Sequence, residues 1–63
     1  MFEVYEMNPH SGRYVHARYD TFEAAEAHIL ARSPVCYERD EDHADCADAF
    51  LASGIVLSIE PRP

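Results

Sequence analysis

The chain has 63 residues, 48% hydrophobic and 27% charged, with 12 acidic against 5 basic residues and a formal net charge of −7. That length allows one domain spanning 1–63, and the composition is that of a globular chain, not a disordered or collagen-like one. No run nears the ~18 apolar residues of a membrane span, and Met1-Phe2-Glu3-Val4 lacks the basic start and apolar core of a signal peptide, so a cytoplasmic protein is expected.

Residues 2–7 alternate with period two, Phe2 and Val4 on one side and Glu3, Tyr5 and Met7 on the other, which predicts a strand. The Asn8-Pro9-His10-Ser11-Gly12 stretch has turn chemistry. Residues 13–19 alternate again, with Val15, Ala17 and Tyr19 opposed to Tyr14, His16 and Arg18. Setting Val4 across from Val15 and Glu6 across from Arg13 matches apolar with apolar and acid with base, so the two strands are expected to form a β-hairpin.

A helix is predicted next. Asp20 is the expected N-cap, with Glu23 three residues on as the capping-box acid, and Glu23 and Glu26 suit the positive end of the helix dipole. Phe22, Ala25, Ile29 and the neighbouring Leu30 fall on one stripe. Arg32 sits in the last turn, and Ser33-Pro34 ends the helix.

Residues 35–39 predict a third strand, and the segment after it has two competing readings. A second short helix at about 41–53, capped by Gly54 with Ala44, Ala47, Phe50 and Leu51 inward, gives the order ββαβαβ. A loop leading into a strand at 49–52 instead pairs that strand with 55–61 across Ser53-Gly54. It places Phe50 opposite Leu57, Leu51 opposite Val56 and Ala52 opposite Ile55, and it satisfies more partners. The expected fold is therefore α+β: an antiparallel sheet of four to five strands packed on one helix, in the order ββαββ(β).

Size bears on assembly. Scaling relations give ~10,400 Å² for the unfolded chain and ~4,100 Å² folded. Burying the difference, about 60% of it apolar, supplies roughly 95 kcal/mol at ~25 cal/mol/Å², and ordering 63 residues at ~1.5 kcal/mol each costs about as much. A chain this close to balance gains from a second subunit, so a homodimer is an expectation.

One helix covers one face of such a sheet. On the face left open the first hairpin presents Tyr5, Met7, Tyr14, His16 and Arg18. A face that only meets water should be polar, whereas tyrosine, methionine and arginine are enriched at interfaces. Tyrosine is also an ordinary residue of half-buried strands, which is the structural reading of the same side chains. The expected function is a non-enzymatic protein–protein interaction or self-association module, with a protein or a second copy as partner.

Other chemistries are weighed from their residues. The acidic segment 40–48 holds Asp42, His43, Asp45 and Cys46, a conceivable metal-binding module; the spacing is not that of an EF-hand, and His43-x-x-Cys46 falls short of the four ligands of structural zinc. An acidic mimic that blocks a basic nucleic-acid-binding surface is the other alternative. Direct nucleic-acid binding is disfavoured by the charge. The four histidines are scattered and no serine or cysteine has a nucleophile's context. Gly12 and Gly54 are the only glycines, so no phosphate loop exists; neither catalytic residues nor a cofactor are expected. Cys36 and Cys46 are expected to stay reduced. All five basic residues are arginine, which with the abundant alanine suggests a GC-rich bacterial genome.

Tyr19-Asp20-Thr21, followed by Glu23, Ala25 and Ile29, resembles a pattern in small uncharacterised bacterial proteins carrying a domain of unknown function. In these a β-hairpin runs into a D-T-x-E-type capped helix; Ala24 stands here where a second acid is common. The resemblance covers about half the chain, implies the hairpin-and-helix fold, and brings no catalytic residues.

Overall fold

The computed structural model describes residues 1–10, 12–40, 42 and 45–62. Strands β1 (Phe2–Asn8) and β2 (Gly12–Tyr19) form the first hairpin, helix α1 (Phe22–Leu30) comes next, and β3 (Cys36–Arg39), β4 (Ala47–Phe50) and β5 (Val56–Pro61) complete the chain. All pairings are antiparallel, in the order β2-β1-β5-β4-β3. The last strand is thus the central one, and it joins the first hairpin to the second half of the chain. The fold is the expected α+β sheet with one helix, and residues 47–50 are strand, so the second helix at 41–53 does not form.

Alternation assigns each residue to a face. Under the helix lie Val4, Ile59 and Ala47 in one cross-strand row and Leu57 and Ala49 in the next, closed by Phe22, Ala25 and Ile29 of α1. Phe22 meets Phe2 edge to face at 6.0 Å, and the Arg39 guanidinium lies over the Phe22 ring, 4.5 Å from its centroid. Leu30, expected on this stripe, is 45% exposed. Nine residues of helix give only the Phe22, Ala25 and Ile29 positions a full view of the sheet, and Leu30 turns past it. The helix is capped by Thr21, not by Asp20: the Thr21 hydroxyl accepts from Ala24 N at 3.1 Å, which makes Asp20 the residue before the cap. The folded chain exposes 4048 Å², close to the ~4,100 Å² its mass implies.

Both hairpins depart from the expected pairing. In the first, Tyr5 pairs with Val15 but Val4 pairs with Ala17, so His16 is the extra residue of a β-bulge. Val4 therefore does not face Val15, and Arg13 pairs with Met7 instead of Glu6. In the second, Phe50 pairs with Val56 and Ala49 with Leu57, one residue away from the expected pairing. The turn is closed by Leu51 N to Ile55 O at 2.9 Å and Gly54 N to Leu51 O at 3.0 Å. Gly54 has φ +93°, a left-handed conformation that glycine enters at little cost. This longer loop replaces the two-residue Ser53-Gly54 turn and moves Phe50 to the face away from the helix. Among the described residues no helix is long and apolar enough to cross a membrane.

Candidate interaction surface

The side of the sheet away from α1 has no covering element among the described residues. Cross-strand pairing sorts its side chains into three rows. Arg13, Met7, Val56, Phe50 and Cys36 run across all five strands at the end where the two hairpin turns lie. Val15, Tyr5, Ser58, Asp48 and Glu38 form the middle row. Arg18, Glu3 and Glu60 begin the third. The first row is apolar apart from its arginine, and Phe50 is 37% exposed on it. Beyond the row, Met7, Pro9, Gly12, Gly54 and Val56 line a shallow hollow of about 380 Å³ between the turns.

The third row is built around Glu3, 3% exposed although it lies on the uncovered face. Arg18 Nε donates to its Oε2 at 2.6 Å, while Arg62 Nε at 2.9 Å and the Tyr5 hydroxyl at 2.7 Å reach its Oε1. The Arg18 hydrogen bond, then that of Tyr5, holds this carboxyl below the ordinary carboxylate value. The same bond pushes the Tyr5 phenol up. Arg13 extends over the Tyr5 ring, 3.9 Å from its centroid, to pair with Glu60. In the middle row the Ser58 hydroxyl donates to Asp48 Oδ1 at 2.6 Å.

Charge is divided across this face. Around β1, β2 and β5 three arginines (Arg13, Arg18, Arg62) meet two glutamates (Glu3, Glu60), a net of +1. Glu38 and Asp48 face outward on β3 and β4 for a net of −2, and Asp40, Asp42 and Asp45 continue the acidic side into the connecting segment. One edge of the face is basic and the other acidic.

Of the five residues expected here, Tyr5, Met7 and Arg18 are on the open face, and Tyr14 and His16 are not. The bulge at His16 turns both toward the helix side, because the strand gains a residue between Val15 and Ala17. There the Tyr14 hydroxyl donates to Glu6 Oε2, His16 Nδ1 lies 3.7 Å and Arg32 Nη1 3.6 Å from Glu6 Oε1. These partners hold a carboxylate only 7% exposed, and the bond to it raises the Tyr14 phenol. His16 also packs on His28, ring centroids 4.9 Å apart, and the Tyr19 hydroxyl shares a 2.7 Å hydrogen bond with His28 Nδ1. Burial, then the neighbouring His16 and Arg32, lowers the His28 pKa. The cluster ties β2 to α1 through polar contacts where the sheet edge cannot be sealed by apolar ones.

Val15, Arg13, Phe50, Val56 and Cys36 are open-face residues that the sequence reading did not place there. Val15 and Arg13, expected across from Val4 and Glu6, reach this face through the bulge, and Phe50, expected across from Leu57, reaches it through the one-residue shift of the second hairpin.

Among the described residues no group of three or more His, Cys, Asp or Glu side chains could hold a metal ion. Asp42 and Asp45 are exposed, Asp42 N caps back onto Asp40 Oδ1 at 2.9 Å, and His43 lies outside the described residues. Cys46 is half-buried, and burial followed by Asp40, Glu60, Asp45 and Asp48 pushes its thiol up. Cys36 pairs with Phe50, four residues along β4 from Cys46, or about 13 Å at ~3.3 Å per residue, and both thiols are free.

Comparison of the chain with protein-family models, curated proteins and solved structures finds no significant match. Function is therefore read from the residues of this chain alone.

Proposed function

We propose that this protein is a non-enzymatic interaction module of the cytoplasm whose contact surface is the open face of the sheet. The observation that carries the reading is the row of Met7, Val56, Phe50 and Cys36, aligned across four neighbouring strands and left uncovered. An antiparallel sheet facing only water alternates apolar-in and polar-out, and a phenylalanine set outward in line with a methionine and a valine breaks that rule at one place. The surrounding polar groups are already tied down by Glu3, Arg18, Arg62 and Tyr5, so the face is ordered before any partner arrives.

The test compares immobilised wild-type protein with Phe50→Glu as bait for cell proteins and for the free chain itself. The contact-surface reading expects a protein held by wild type, lost with Phe50→Glu, and still held when salt is raised from low to moderate. Retention that is equal on both baits overturns it. Retention indifferent to Phe50→Glu that collapses with salt moves the contact to the acidic side of Glu38 and Asp48, the behaviour of an acidic mimic.

A further inference from the structure

We infer that the occupant of the open face is a second copy of this chain, stacked face to face about a twofold axis that runs along β5. The inference rests on the reading of that face as a contact surface and names its partner.

Symmetry selects the arrangement. A twofold axis parallel to the sheet stacks two identical faces, and two orientations of it follow the strands and rows of this sheet. One runs across the strands; it sets the apolar row on the partner's Glu3 row and lays arginine edge on arginine edge. The other runs along the central strand, keeps each row over itself and exchanges the two edges. Met7 then meets the partner copy's Phe50, a thioether against an aromatic ring, at the rim of the hollow between the turns. On the edges Val15 comes over the partner copy's Glu38, which leaves that acid between Arg13 and Arg18 of the neighbouring rows, and Tyr5, with the Arg13 guanidinium on its ring, comes over Asp48. Of the two, this axis keeps the apolar row on itself and sets edges of opposite sign against each other, and every contact off the axis is made twice.

The available area agrees with a reversible dimer. Five strands ~4.8 Å apart, with about five residues of each at ~3.3 Å, present roughly 400 Å² of flat face per copy. With side-chain relief the two copies bury roughly 1,000 Å² in total, the lower limit for a specific interface, so dissociation in the micromolar range is expected. The net charge of −7 on each copy opposes approach, but at ~0.15 M salt that repulsion is screened beyond about 8 Å while the matched edges act in contact.

The experiment is sedimentation equilibrium of the whole chain from ~10 to ~500 µM, the range a small interface populates. Wild type is run with Phe50→Glu, Val15→Glu and Glu38→Arg, each checked for folding by circular dichroism. Val15 and Glu38 occupy the same row on opposite edge strands, so the axis along β5 sets each over the other's counterpart. A wild-type dimer is expected, abolished by Phe50→Glu and weakened about tenfold or more by Val15→Glu, which sets acid on acid. Mixing Val15→Glu with Glu38→Arg is expected to restore association, because acid then meets base across the dimer. A wild type that stays monomeric throughout overturns self-pairing, and leaves the contact-surface reading to the bait experiment. A dimer untouched by Phe50→Glu overturns both. A dimer lost with Phe50→Glu but not restored by mixing overturns the axis.

Discussion

Under the helix, β4 contributes Ala47 and Ala49, both buried; turned to the other side, the same strand contributes Phe50, more than a third exposed. The small side chains are inside and the large one is outside. The reason is the approach of α1: a nine-residue helix that closes with Phe22, Ala25 and Ile29 fills the space above β4 itself. The strand beneath has to be shallow. Among the described residues no such filler lies on the other face, where polar groups are fixed by ion pairs and an aromatic ring stands in the open. One face is complete as an interior, and the other has the parts of an interior that lacks its second layer.

The contrast breaks if the two faces respond alike to truncation. Ile29→Ala is expected to cost about 2–5 kcal/mol in urea unfolding, a large share of the stability of so small a domain. Phe50→Ala, measured at ~1 µM so that association does not contribute, is expected to cost no more than about 1 kcal/mol. Equal costs would place Phe50 inside the monomer's own core. Ala49→Leu sharpens the same point in the opposite direction. Extra volume under the helix is expected to destabilise by about 1–3 kcal/mol, where a loosely seated helix would accept it.

The smallest expected effect separates the faces by pH. On the open face Glu3 is held below its ordinary value of 4.5, mainly by Arg18 and then Tyr5. Its contribution is whole above that value and is lost as pH falls through the lowered one. On the covered side, burial and then a hydrogen bond to Glu26 push the Tyr37 phenol from 10.0 up to about 12. Its contribution is whole below 10.0 and is lost as pH rises toward about 12. Stability measured against pH is expected to lose acid-side stabilisation in Glu3→Gln, together with the share of the alkaline limb that the Glu3 bond gives to Tyr5, whereas Tyr37→Phe reduces the alkaline limb and leaves the acid limb intact. Loss of the acid limb in Tyr37→Phe would mean that the faces do not titrate separately.

How much of the fold can be read in the sequence depends on how local each cause is. Alternation in 2–7, the turn residues after it and the Phe22, Ala25, Ile29 spacing are local, and each matches its element; 13–19 forms its strand, but not in the alternation its residues show. The bulge at His16 carries no signal in Arg13-Tyr14-Val15-His16-Ala17, since no glycine or proline marks it. Without it Tyr14 and His16 read as neighbours of Tyr5 on the wrong face. In Ala49-Phe50-Leu51-Ala52 two adjacent apolar residues let either phase look buried, and Ala49 wins because the helix, distant in sequence, needs the shallow residue beneath it. Asp20 and Thr21 can both cap, and only the direction in which the chain enters the helix selects Thr21.

The bulge has one more effect, on what the molecule refuses to become. β2 is the longest strand and lies at the border of the sheet, where bare amides and carbonyls invite another chain to align alongside. The extra residue at His16 breaks its outer rim into two short stretches whose bonding groups are out of step, so a visiting strand cannot extend past the break in one alignment. That interruption is a safeguard against fibrils: whatever gathers on the broad side of the sheet, this border offers no long, even template for lengthening it.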